Sequence, residues 1–210
     1  MVLKHKLLLL ASLFWLAPVS AQSIDITMKH NSASETAIRQ KLLSAFEKYQ
    51  LQKWTVTNKV MIDDETRIPF SHPVLTLNGI PSKNSPIDQD EELVAIYVHE
   101  QGHWNSVKHG KLSMDEAAAA SKKFAKNLRS DFPYGSGDLV GTLNHVPVCY
   151  SGYRVLSQLF GEEAARKKLE SKHYYKDIYA FVLDPANHPA IEQYLKEEGL
   201  TWQQFGVPKK

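Results

Sequence analysis

Cysteine is almost absent: Cys149 stands alone among 210 residues. A single thiol cannot close an internal disulfide, so no cross-linked framework holds this fold. An excess of one charge is missing too. Lys and Arg number 25 against 23 Asp and Glu, and the chain carries +2 with histidine neutral. No basic stripe is available to track a phosphate backbone, which removes nucleic acid as a partner. Low-complexity linkers and internal repeats are also lacking. With hydrophobic residues at 43% and charged ones at 23%, the composition is that of one folded domain rather than a disordered chain.

Long apolar runs are scarce. The longest covers Leu7 to Leu16, shorter than the ~20 residues of a membrane span. Lys4, His5 and Lys6 precede it, Pro18 breaks it, and Val19-Ser20-Ala21 supplies small residues before Gln22. This is the layout of a cleaved export signal, residues 1–21, leaving a domain over 22–210 without a membrane anchor. Loss of Lys4 and Lys6 brings the basic count level with the 23 acidic residues. The expected location is the periplasm or the external medium.

The periodicity predicts an α+β fold, with a small N-terminal β element followed by a mainly helical part. Asp25–Lys29, Thr55–Ile62 and Pro73–Asn78 read as strands. Ile38, Leu42, Leu43, Phe46 and Tyr49 recur at helical spacing within Ser34–Trp54. A long central helix is expected to begin between Ser85 and Asp90, with Pro86 in its first turn and acidic residues at its positive end. Ser113 and Glu116 form the capping-box pattern of a helix reaching Leu128. A further helix is expected from Asp138 to Phe160, kinked or broken at Pro147 and stopped by Gly161. Shorter helices follow over Glu162–Ser171, Tyr174–Leu183 and Ala190–Glu197.

The central helix carries His99-Glu-Gln-Gly-His103-Trp104. Four residues turn a helix by about 400°, so His99 and His103 share a face one turn apart, the separation at which two imidazoles can hold one Zn²⁺. Glu100 projects beside that position, where it can take a proton from a water that the metal activates. Roughly 2 random chains in 100 of this composition would contain the pattern. Its place on an amphipathic helix, after a strand and an export signal, lowers those odds. Trp104 and Trp54 read as core residues, and His72 as a loop residue.

The stretch Glu92–Trp104 resembles the signature of zincin-type metallopeptidases. The region from about His72 to Asp184 also resembles a family of uncharacterised bacterial proteins sharing His-Glu-Gln-x-His-Trp. In that family a later helix bears His-x-x-Val-x-x-x-Glu, followed by a His-Tyr-x-x-Ile-Tyr element. This chain has His145-Val-Pro-Val148-Cys-Tyr-Ser-Gly152 and, one residue longer, His173-Tyr174-Tyr-Lys-Asp-Ile178-Tyr179. The resemblance implies a zincin-like domain and a zinc cofactor, with a peptide or protein as substrate. In the related proteins the Glu would be the natural third ligand, and Gly152 stands in its place.

Catalytic zinc normally takes three protein ligands, and four residues compete for the third place. His109 has metzincin spacing, but Ser106 replaces the usual glycine and no Met-turn follows. Glu116 sits where glutamate zincins place a ligand, though somewhat early, and it also belongs to a capping box. His145 shares a helix face with Cys149 and Gly152, and it is the first choice. Cys149 is the weakest, since a lone buried thiol is usually core. His173 is the expected oxyanion-stabilising residue, with Tyr174 and Tyr179 as alternatives. The function expected is that of a zinc-dependent hydrolase, a metallopeptidase with Glu100 as base. The alternative is a zincin-like metal-binding or interaction domain without turnover.

Overall fold

The computed structural model describes residues 24–78 and 90–201. The export signal and the expected start of the central helix, Ser85 to Gln89, lie outside the described residues. The fold is α+β and mainly helical, as the sequence predicts.

The N-terminal part is a parallel sheet in the order β1 (Asp25–Met28), β2 (Lys59–Asp63), β3 (Leu75–Asn78). Helix α1 (Ala33–Lys48) crosses from β1 to β2. It starts at Ser32, whose hydroxyl accepts from Glu35 N at 3.1 Å while the Glu35 carboxylate returns to Ser32 N. Ile38, Leu42, Ala45 and Phe46 form its buried stripe. The helix is shorter than its periodicity suggests. Gln50 takes a left-handed φ of 52°, and a separate 3₁₀ turn covers Leu51–Trp54. Trp54 is buried in the core, as expected.

The predicted strand Thr55–Ile62 is only half strand. Thr55 to Asn58 instead packs on the central helix, α2 (Asp90–His109). Fully buried Gln101 binds this segment as a strand neighbour would. Its Oε1 accepts from Val56 N at 2.7 Å and Thr57 N at 2.9 Å, and its Nε2 donates to the Thr57 carbonyl at 2.8 Å. The Thr55 and Tyr97 hydroxyls meet at 2.8 Å beside it. One side chain therefore satisfies three backbone groups and fixes α2 against the sheet.

Helix α3 (Met114–Ser121) has the predicted capping box but ends early. Tighter turns, such as Lys123 N to the Ala120 carbonyl, replace the helix after Ser121. Helix α4 (Leu139–Phe160) is capped by Asp138, which accepts from Gly141 N at 2.7 Å, and it continues as one helix through Pro147. It is buried along most of its length, and α2, α3, α5 (Glu162–Glu170), α6 (Lys176–Leu183) and α7 (His188–Glu198) pack around it. Gly102 lies where α2 passes close to α4: a Cβ there would be 3.0 Å from Val148 Cγ1. Among the described residues no helix is long and apolar enough to cross a membrane.

Replacing Gln101 by Leu removes all three backbone contacts and orphans two N–H groups. The expected cost is about 2–4 kcal/mol, read as a lower urea midpoint with an unchanged slope.

Candidate metal centre

His99 and His103 project from neighbouring turns of α2, and His145 from the first half of α4. These three can each offer one ring nitrogen, with all three nitrogens within 4.8 Å of one another. The Nε2 atoms of His99 and His103 are 3.3 Å apart. Two nitrogens at 2.0–2.1 Å from one tetrahedral zinc would be separated by about 3.3 Å, so the pair has the span of a shared ion. The His145 ring centre lies 5.6 Å from that of His99 and 4.8 Å from that of His103.

His145 is oriented from behind. Its Nδ1 is 2.7 Å from the Gly141 carbonyl one turn earlier. A carbonyl only accepts, so Nδ1 carries the proton and Nε2 keeps its lone pair toward the cluster, the arrangement that commonly positions a metal-binding imidazole. The Tyr175 hydroxyl meets that Nε2 at 2.9 Å.

Burial keeps the rings neutral. His99 is held well below the usual histidine range, first by desolvation and then by His103 and His145. Desolvation brings His103 down to about 3, with His145 and His72 adding to it. His145 is lowered by burial as well, against the pull of the Gly141 carbonyl. Three unprotonated imidazoles are the state a divalent ion requires. Glu100 is 5% exposed, and burial pushes its carboxyl up to about 8. A dication beside it would act in the opposite direction.

The remaining candidates lie elsewhere. His109 closes α2 and is exposed. Glu116 is exposed and occupied by its cap, its Oε2 accepting from Ser113 N at 2.9 Å and from the Ser113 hydroxyl at 2.7 Å. Cys149 is buried in a cavity wall, where desolvation raises its thiol and disfavours the thiolate a metal needs. Gly152 lies in the same wall, and a Cβ there would meet nothing within 4 Å. His173 is exposed on the turn before α6 and does not line the cavity.

Tyr175 was not singled out by sequence, because its spacing from Ile178, Tyr179 and Val182 reads as plain packing. It caps α6 in the left-handed region, with φ 57°. Such a φ is unusual for a bulky residue and costs on the order of 1–3 kcal/mol. The following residues hold it there. Lys176 N and Asp177 N donate to the carbonyls of Pro133 and Tyr134, each at 3.1 Å. Arg129 grips the Asp177 carboxylate through Nε at 2.8 Å and a terminal nitrogen at 2.6 Å.

A cavity of about 430 Å³ opens on His99, Glu100 and Tyr175. Exposed Ile68 and Phe132 stand among its lining residues. Trp104 secures the loop beside it. Half-buried, it donates from Nε1 to the Ser71 carbonyl at 2.8 Å and stacks on exposed His72 with ring centres 4.4 Å apart. The outer edge of β3 is partly taken: Thr76 exchanges backbone hydrogen bonds with Phe70, at 3.0 and 2.8 Å. At this position β3 is thus paired with its own preceding loop.

Compared with family models, curated proteins and solved structures, the chain matches none.

The purified chain is expected to bind one zinc ion, and His145→Ala to lose it at a chelator concentration that leaves the wild type loaded. Glu116→Ala is expected to keep full occupancy. Inductively coupled plasma mass spectrometry measures both, and retention of zinc by the His145 variant would remove that residue from the ligand set.

Proposed function

We propose that the chain is an exported zinc-dependent hydrolase of peptide bonds, working in the periplasm or outside the cell. The observation that carries this reading is the convergence of three neutral imidazoles from two helices beside a buried carboxyl group and a cavity. His99, His103 and His145 would hold the ion. Zinc at that position would act as a Lewis acid toward a carbonyl and lower the pKa of a water.

Every other element of the chemistry belongs to the chain. Glu100 lies next to His99 on the cavity wall and takes the proton of the attacking water. It then delivers that proton to the leaving amine, as general acid–base catalysis of amide hydrolysis requires. Tyr175 keeps its proton, because burial raises its hydroxyl, and it donates a hydrogen bond to the carbonyl oxygen as negative charge develops there. That role falls to Tyr175 rather than His173 because the Tyr175 hydroxyl already reaches the cluster. The apolar lining residues Ile68, Pro69 and Phe132 suit a peptide better than a sugar.

Glu100→Gln is expected to retain zinc and lose turnover of a broad peptide library by at least two orders of magnitude. If the wild type holds zinc, cuts no peptide and is indistinguishable from Glu100→Gln, the domain is a binding module instead. Tyr175→Phe is expected to lower kcat by roughly 10²-fold with little change in KM. An effect confined to KM would place the hydroxyl in ground-state binding.

A further inference from the structure

The cavity, which of the three histidines is lined by His99, extends from it along α2. Its wall includes His99, Ile96, Ala95 and Glu92, so it follows this helix for two turns, roughly 10 Å. Its far end is charged. Lys172, on the turn after α5, lines the cavity there with a side chain 7% exposed. It binds the Oε1 of Glu92, and the other oxygen of the same carboxylate is 3.4 Å from Lys168 Nζ.

Two ammonium groups thus share one buried carboxylate, and the three side chains together carry one positive charge. An ammonium has three donors. Among the described residues, the Lys172 Nζ has a single hydrogen-bond acceptor, Glu92, and otherwise faces the Tyr174 ring at 5.7 Å from its centre. A buried ammonium with spare N–H bonds on a cavity wall is suited to an anionic oxygen. A cationic ligand is excluded, because both Glu92 oxygens are engaged and two ammoniums would repel it. Gly152, also in the cavity wall, contributes no side chain and leaves free space above its Cα.

We propose that Lys172 anchors a carboxylate of the substrate, holding it roughly 10 Å from the three histidines, about three residues of extended chain. This assignment rests on the zinc-hydrolase reading above. The carboxylate is either the free C-terminus of a short peptide or an acidic side chain, and both present the same group to Lys172.

The test uses the full zinc-loaded protein and measures binding rather than turnover. The probes are straight-chain hydroxamates with a terminal carboxylate, graded from short to long, each paired with its methyl ester. The hydroxamate engages zinc and the tail explores the cavity. Affinity is expected to peak at one tail length, where the acid binds roughly tenfold or more tightly than its ester. If hydroxamates bind but acid and ester are equal at every length, the carboxylate site is refuted while the zinc reading stands. If the chain holds no zinc and no hydroxamate binds, the zinc reading itself has failed and the assignment falls with it. The variant Lys172→Met leaves Glu92 paired with Lys168, so the buried carboxylate keeps a cationic partner. Folded and zinc-loaded, it is expected to lose the preference for acid over ester, and a retained preference would overturn the assignment. Peptides bound to zinc-loaded Glu100→Gln then separate the sources. Weakening by C-terminal amidation identifies the terminus, and tight binding of amidated peptides with an internal Glu identifies a side chain. No response to either change would refute the proposal.

Discussion

A three-imidazole site drawn from two helices exists only while those helices keep their distance, and Gly102 lets α2 approach Val148 of α4 closely. A larger side chain at 102 would press on α4 and carry His145 away from His99 and His103. Metal ligands tolerate shifts of only a few tenths of an ångström. The same six-residue motif also controls the other side of α2. Gln101 binds the Val56–Thr57 backbone, and Trp104 ties down the loop before β3 through Ser71. Both residues between Glu100 and His103 therefore have structural work: one joins the helix to the sheet region, the other joins it to α4.

Burial is the second constraint. It suppresses protonation of all three rings and keeps the Glu100 carboxyl and Tyr175 hydroxyl protonated when no cation is nearby. Without a cation, the ring nitrogens are satisfied from within the site, His145 Nε2 by the Tyr175 hydroxyl and His99 and His103 by each other. The divalent ion proposed for this site would turn the same desolvation into an advantage, because charges interact more strongly where water is excluded. Under the proposed metal-bound reading, the cost of burying these groups and the affinity for a cation would have one origin.

What the sequence made legible was what local rules govern. The capping box at Ser113, the helix stop at Gly161 and the shared face of His99 and His103 follow from spacing alone. The segment Thr55–Asn58 misleads because its Val and Thr have strand propensity, while its partner is a glutamine more than forty residues away. Gln50 ends α1 through a left-handed backbone that no glycine announces. Among third-ligand candidates, the sequence reading puts His145 first, but a separation of more than forty residues cannot by itself settle its ranking over His109 and Glu116. That ranking depends on how α4 crosses α2, a tertiary fact. Tyr175 was hidden for the opposite reason: it fits a packing stripe so well that its hydroxyl carried no signal.

Tyr175 also places stability and chemistry in opposition at one position. Glycine or asparagine would adopt its left-handed backbone at lower cost, and neither would bring a phenol to His145. A selection that scored only resistance to unfolding would weigh that backbone cost against the ring's packing on the core, and nothing in it would preserve the hydroxyl. A stabilised variant of this domain evolved without an activity screen should be expected to lose the hydroxyl beside His145, while its fold and its three histidines remained intact.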